Sequence, residues 1–406
     1  MASERPILIA GGGPVGVITA LALARQNIPV HVFEAEARVN DMPRAATTHA
    51  ATLEMLEELG LVDEVIRRGL VEPLFRVWNR TTGKLVAEFD FGILKNETCY
   101  PFAVQCEQHK LANMTIERLR AFPHAKVEFS ARVAALTQTG DGVEAVVETA
   151  GGAHKVSGAY LIGADGGRST VRKALDIEFE GYTHPERFLI LTTTFDIGTK
   201  YPGCTRNYLS DPEDWCALFK VSGDDGKALW RVLSTTRLEQ TEAELFDPAA
   251  TEARLQKFVP KDGRYDIVHR NLYNVHQRVA ASFRKGRVFL AGDAAHVNNP
   301  LGGLGLNFGI HDAVELTGLL GRVIRREADE AILDLYDRHR RPLNIEFVQQ
   351  QTIANKKRME EKDPAARTKN FEQLQKTAAD PKAHRAYMLR ASLIESVRQR
   401  AAAPAA

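Results

Sequence analysis

The chain has 406 residues, 44% of them hydrophobic, enough for one large or two medium domains around a sizeable core. Its 53 Lys and Arg against 52 Asp and Glu leave a formal net charge of +1, so no broad field points to nucleic acid, and a small molecule is the expected partner. Cys99, Cys106, Cys204 and Cys216 form neither a C-x-x-C pair nor a zinc spacing, the opening stretch 1–6 carries no signal pattern, and no apolar run approaches the roughly 20 residues that span a bilayer; a cytoplasmic protein with reduced thiols, no membrane span and no metal is expected.

Residues 7–10 read as a buried parallel strand, 11–16 as a glycine turn, the run to Ala24 and Arg25 as a helix, and 30–33 as a second strand, which together make a βαβ unit. Residues 50–59 have helical spacing, and 75–100 turn strand-like around Thr82, Gly83 and Lys84. A helix follows over 107–119, then strands over 126–129, 142–148 and 160–162. Between 187 and 273, short β-like runs such as 189–195, 216–221 and 229–235 predict a second, antiparallel sheet. After a buried strand at 288–290 the pattern is helical to Gln399, ending in a tail of Ala and Pro.

Three segments carry chemistry. Gly11, Gly13 and Gly16, with Pro14 and Val15 among them, give G-x-G-x-x-G between a strand and a helix: a tight turn, close backbone approach to a pyrophosphate, and close helix packing, with the helix N-terminus facing the phosphates. Glu34 ends the second strand, where a carboxylate accepts from ribose hydroxyls. The segment 163–172, Gly-Ala-Asp-Gly-Gly-Arg-Ser-Thr-Val-Arg, follows a strand and contains Asp165 and Gly166. Ser169 also fits an ordinary helix cap there. The third segment runs from Gly292 and Asp293 through His296, Pro300, Gly302, Gly303 and Gly305 to Asn307. Glycines are costly at a helix start unless backbone must approach something closely.

AGGGPVG, GADGGRSTVR and LAGDAAHVNNPLGGLGLNFGIHDA resemble, in order and spacing, the three flavin fingerprints of the single-component (class A) FAD aromatic hydroxylases related to para-hydroxybenzoate hydroxylase, over roughly residues 5 to 345. The resemblance implies a mixed α/β fold: a Rossmann-like FAD-binding domain from 1–73, 101–182 and 271–340, an interleaved antiparallel-sheet substrate domain from 74–100 and 183–270, and a helical region over 341–406. It implies FAD held by Gly11, Gly13, Pro14, Val15, Gly16, Glu34, Arg44, Gln105, Asp165, Gly166, Asp293, Gly303, Leu306 and Asn307. Asp293 would bind the ribityl chain, Glu34 the adenosine ribose, and Pro300 would lie against the flavin ring. NADH or NADPH would bind transiently on the same domain, as no second nucleotide fold is found.

The implied activity is NAD(P)H- and dioxygen-dependent hydroxylation of a phenol, aromatic acid or hydroxypyridine through a flavin hydroperoxide, in a pocket that excludes water. Tyr208, Trp215, Lys220, Arg231 and Thr235 of the second sheet are the substrate-contact candidates, although alternate strand residues face opposite sides. His49 is a candidate for phenol deprotonation through a pKa near neutrality. The competing readings are a two-component oxygenase, epoxidase or reductase of the same fold, and a flavin-fold binding module without catalysis, against which the intact Glu34, Asp165 and Asp293 speak. Trp78, Trp215 and Trp230 lie in no W-x-W-x-I-P string, so halogenation is not expected. The helices after Asp337 are expected to pack on the body or to form a homodimer.

Overall fold

The computed structural model describes residues 5–402; the first four residues and the last four of the Ala and Pro tail lie outside the described residues. Ile7–Ala10 is completely buried and occupies the middle of a six-stranded sheet. Its order is Arg284–Lys285, Val288–Leu290, Tyr160–Gly163, Ile7–Ala10, Val30–Phe33, Ala125–Glu128, parallel throughout apart from the first hairpin. Strands covered on both faces read as unbroken apolar runs, which is how ILIA and YLIG stand in the sequence.

This parallel order positions the site. The four strands that precede Gly11, Glu34, Ala164 and Ala291 all point the same way, so all three glycine motifs and Glu34 emerge at one edge of the sheet. The chain leaves Ile7–Ala10 toward one side and returns on the other, and the crevice between such neighbours is where open α/β sheets take their ligands. Gly16 and Gly309 close this edge. The first lets the helix Pro14–Ala24 sit on Gly11, and the second lets the helix Gly305–Ile324 approach Val15 and Gly292.

The second sheet has eight strands, in the order His296–Val297, Ile267–Ala280, Phe179–Thr193, Leu229–Thr235, Cys216–Val221, Arg206–Ser210, Leu74–Asn79, Lys84–Asp90. It is antiparallel except between Arg206–Ser210 and Leu74–Asn79, which run parallel. The segment 74–90 therefore joins the sheet by pairing with a strand over a hundred residues away, which its own sequence does not announce. The paired strands Phe179–Thr193 and Ile267–Ala280 are 15 and 14 residues long and run unbroken through the positions 182 and 270 at which domains were expected to divide.

Alternation sorts the sheet into two faces. One buries Leu189, Leu191, Leu209, Cys216, Leu218, Trp230 and Val232 under the helix Pro248–Phe258. The other carries Phe75, Val77, Phe188, Tyr208, Ala217 and Leu233, and is covered by the helices after Asp334. Those helices, Asp334–Asn344, Gln350–Met359, Pro364–Ala379, Pro381–Ala391 and Ile394–Ala402, pack on the body; Ser210 Oγ donates to the Met359 carbonyl at 3.0 Å. No described helix is long and apolar enough to cross a membrane.

Candidate active site

Each glycine of the first motif does a separate job. Gly11 has φ +106°, and a Cβ there would collide with the Ala164 carbonyl; a Cβ on Gly16 would collide with the Gly11 carbonyl. Gly13, the N-cap of its helix, would meet nothing within 4 Å. The protein needs Gly11 and Gly16 in order to fold, whereas Gly13 fronts open space at a helix N-terminus, where a pyrophosphate is stabilised. Pro14 presets the first helical turn, and Val15 packs beneath Gly292 and Gly309, joining the first motif to the third.

Around this loop several polar groups are left available. Glu34 accepts from the Gly12 N–H at 2.6 Å and the Glu36 N–H at 2.9 Å, one bond per oxygen, so both oxygens keep lone pairs for hydroxyl donors. Asp165 caps the helix Thr170–Ala174 through one oxygen, at 2.7 and 3.1 Å from the N–H groups of Thr170 and Val171, while its other oxygen is buried without a partner. Ser169 caps the same helix, accepting from the Arg172 N–H at 2.9 Å, so the ordinary capping role holds as well. Gly166, at φ +78°, again faces open space. Arg172 ties this loop to the third motif, donating at 2.8 Å to the Ala294 carbonyl and 2.9 Å to that of Gly167.

Asp293 makes no hydrogen bond within the described residues. Its side chain is open to the groove, but the surrounding protein desolvates it enough to raise its carboxyl above the ordinary range, against the pull of His296 and Arg44. The turn that presents it is clamped from behind by Asp312, fully buried in the long helix. Asp312 accepts from the Gly292 N–H at 3.1 Å, from His296 Nε2 at 2.7 Å and from Arg340 Nε at 2.7 Å. Burial alone would raise this carboxyl; His296 and Arg340 outweigh burial and hold it at about 2. An open cradle at Gly13 and Gly166, an unspent carboxylate at Asp293 and an orphaned oxygen on Asp165 fit the pyrophosphate and polyhydroxyl chain of FAD.

A cavity opens where the third motif meets the second sheet. It is largely apolar: Phe75, Val77, Tyr208 and Leu301 line it, and Met359, Phe371 and Tyr387 of the C-terminal helices close it. Its polar lining comprises His49, Ser210, Gln351, Asn355, Arg358 and Arg206, the last buried, with Nε and Nη2 donating at 3.0 and 2.8 Å to the Tyr208 hydroxyl and Nη2 also at 3.1 Å to the Gly302 carbonyl. The remaining nitrogen, Nη1, is buried without a partner. His49 shares the same acceptor: its Nε2 donates to the Gly302 carbonyl at 2.8 Å, which leaves Nδ1 unprotonated and unpartnered. Gly302 can converge these donors because it adopts φ +112°.

The structure revises several expectations. His49 lines the cavity, but burial, assisted by the charge of Arg206, pushes its pKa down to about 3, so it does not titrate near neutrality as expected. Of the five substrate candidates only Tyr208 lines the cavity. Trp215 is buried against Phe188 with ring centroids 5.3 Å apart, and Lys220 points to the far face, 3.4 Å from Asp196. Arg231 donates at 3.0 Å to the Arg44 carbonyl and so braces the loop before His49, while the Thr235 carbonyl accepts from Arg254 at 2.7 Å, near the strand end. Pro300 does not line the cavity; its carbonyl accepts from the Gly303 N–H at 2.9 Å and shapes the turn before it.

The Asn307 side chain is spent inside the protein, donating to the carbonyls of Thr47 at 2.8 Å and Gly303 at 2.6 Å and accepting from the His49 N–H at 2.8 Å. The main-chain N–H groups of Leu306 and Asn307 remain to face a ligand, at the unpaired first turn of the helix Gly305–Ile324, whereas both main-chain groups of Gly303 are already bonded. Arg44 is exposed at the groove rim, and Gln105 is buried, accepting from Thr47 Oγ1 at 3.1 Å. Arg206 escaped the sequence reading. It lies two residues before Tyr208 on the same strand face, and this periodicity is the one signal that could have found it.

Residues 4–351 match a family model described as FAD binding domain. The chain is 34% identical over 385 residues to para-nitrophenol 4-monooxygenase of Pseudomonas sp. (strain WBC-3), covering 94% of both chains. It is 34% identical over 366 residues to 6-hydroxy-3-succinoylpyridine 3-monooxygenase HspB of Pseudomonas putida (strain DSM 28022 / S16), covering 90% of this chain and 91% of that one. The crystal structure of p-nitrophenol 4-monooxygenase PnpA from Pseudomonas putida DLL-E4 superposes with a TM-score of 0.91 at 32% identity, over 98% of this chain and 99% of that one.

Proposed function

The chain belongs to this FAD-binding family of aromatic monooxygenases, and from that premise we propose that it hydroxylates a single-ring phenol or hydroxypyridine bound as an anion against Arg206. The observation that carries the reading is the buried, unpartnered Nη1 of Arg206 in a largely apolar cavity. A buried guanidinium with a free N–H is costly unless an anion or strong acceptor completes it. A para-nitrophenol and a hydroxypyridine, named for two of the relatives, both offer an acidic ring hydroxyl or a polar substituent of that kind.

FAD would lie with its pyrophosphate at Gly11, Gly13, Pro14, Val15 and Gly16, its adenosine ribose at Glu34, and Asp165 and Gly166 beside the chain. Its ribityl hydroxyls would meet Asp293, with Arg44 and Gln105 alongside, and its ring the main chain from Gly303 to Asn307. When bound and reduced by NADH or NADPH, the flavin supplies from dioxygen the oxygen atom that enters the ring. Phe75, Leu301, Met359, Phe371 and Tyr387 exclude water from that event. Arg206 holds the ring oxygen or substituent in its ionised form and thereby keeps the ring electron-rich. Tyr208 fixes the guanidinium plane, and His49, kept neutral, offers the Nδ1 lone pair to a hydroxyl donor.

The test is stimulation of NADH and NADPH oxidation by 4-nitrophenol, 4-hydroxybenzoate, a hydroxypyridine carboxylate and neutral 4-methylphenol, with hydroxylated product quantified. The expected result is turnover with the anionic or strongly acidic members, and a loss of ten- to a hundredfold in kcat/KM in Arg206→Gln, the range for losing a charge-assisted hydrogen bond. Equal use of 4-methylphenol together with an unaffected Arg206→Gln would overturn the reading.

A further inference from the structure

Glu72 does not line the cavity, yet it is tied to the residue that precedes Arg206. It ends the short strand Leu70–Glu72, is wholly shielded from solvent, and lies beside the strand Ala103–Gln105. One carboxyl oxygen accepts the hydroxyl of Thr205, the residue immediately before Arg206; the other has no hydrogen-bond partner. Arg206 Nη1 is likewise unpartnered. Two buried groups of opposite charge type on neighbouring segments each retain unspent capacity, and no ion pair joins them.

Burial raises the Glu72 carboxyl to about 7, the Thr205 hydroxyl, the Arg206 charge and the nearby Gln105 amide offsetting this only in part. On the adjoining strands Arg76 and Glu88 pair with each other at 2.7 Å, and the remaining titratable neighbours are neutral at that pH. Cys204 is pushed up by burial to about 11, burial also raises Tyr208, and His49 on the far side of Arg206 lies at about 3. From the strand Ala103–Gln105 the neighbour is the uncharged amide of Gln105. Arg206 is the one charge that acts directly on Glu72.

We propose that Glu72 is a positioning residue whose protonation sets how strongly Arg206 holds an anionic substrate. A neutral Glu72 leaves the guanidinium charge to the bound anion; an ionised Glu72 shares it and weakens the hold. By linkage, an anion seated on Arg206 removes the charge that favours ionised Glu72, so binding takes up a proton near neutral pH. This inference rests on the reading that Arg206 faces the substrate anion.

The experiment is equilibrium dialysis of the FAD-loaded enzyme against 2,4-dinitrophenolate, an anion throughout pH 6 to 8.5, with nitrobenzene as the neutral control, and proton uptake on binding measured with an indicator dye. In wild type, dinitrophenolate affinity should fall about tenfold across that range, within the span typical of coupled sites, while nitrobenzene binding stays flat. Proton uptake should accompany dinitrophenolate at pH 7. Glu72→Gln, which keeps an acceptor for Thr205, should bind at the tight low-pH level at every pH. A flat wild-type profile without proton uptake, alongside weak binding by Arg206→Gln, would overturn the role of Glu72 alone. Undiminished binding by Arg206→Gln would instead remove the anion site on which the inference stands. The wild-type proton measurement decides the matter even if Glu72→Gln fails to fold.

Discussion

Replacing Asp312 by Asn tests whether the flavin loop is held by charge. The carboxylate sits at about 2 rather than the ordinary 3.8, so the fold favours its charged form by about 2 kcal/mol. Asp312→Asn removes that term and leaves Arg340, 3% exposed and packed 4.2 Å over the Phe308 ring, without its counter-charge. Breaking one side of a buried pair costs about 3–5 kcal/mol, which sets the expected destabilisation. Because this carboxyl is lowered in the fold, its contribution is present above pH 4 and is lost as the pH falls toward 2. Wild type and variant should therefore differ at pH 7 and converge in strong acid. Urea unfolding followed by tryptophan fluorescence reads the stability, and flavin retained after gel filtration at a pH where the variant is folded reads the loop. Asp312 also receives the Gly292 N–H, so the folded variant should retain less FAD. Arg340→Met, added to Asp312→Asn, should recover part of the lost stability by removing the orphaned charge. A variant within about 0.5 kcal/mol of wild type that keeps its full flavin would refute the clamp.

Three further outcomes follow from the site. Gly13→Ala should fold normally yet lose FAD binding, because the new methyl enters only open space, whereas Gly16→Ala should fail to fold or unfold early, its Cβ being aimed at the Gly11 carbonyl; expression yield and flavin content separate the two. Asp293→Ala should release FAD ten- to a hundredfold more readily, since charge-assisted hydrogen bonds contribute about 1.5–3 kcal/mol each, and an unchanged flavin dissociation constant would show that the ribityl chain lies elsewhere. His49→Gln should leave the midpoints of the kcat/KM profile between pH 6 and 8 where they are in wild type, because His49 is already neutral there; disappearance of a midpoint near 6.5 would restore His49 as the titrating base.

The cofactor half of the site was legible because its requirements are local. A strand, a glycine turn and a helix start are contiguous in sequence, and Gly11, Glu34, Asp165 and Asp293 each sit at a fixed offset from their own strand. The substrate half was not. Trp215, Lys220 and Arg231 were chosen by residue type on a strand, and which face each would occupy depended on sheet register and on what covered each side. Lys220 went to the far face with Trp230, and Arg231 to the rim beneath Arg44. The Asn307 side chain is consumed by Thr47, Gly303 and His49, of which Thr47 and His49 lie 260 and 258 residues away in the chain.

The sequence by itself determined the mixed α/β class, the parallel nucleotide-binding sheet and the flavin chemistry, because turn geometry and strand burial act over a few residues and leave a pattern that can be read along the chain. Only the tertiary structure decided where the substrate goes. The parallel pairing of Arg206–Ser210 with Leu74–Asn79, and the docking of the C-terminal helices, bring Arg206, Phe75, Gly302, Met359 and Tyr387 around one cavity and bury Glu72. That juxtaposition is a sum of non-local contacts, and the ionisation of His49 and Glu72 depends on the desolvation those contacts impose, which no single stretch of sequence encodes.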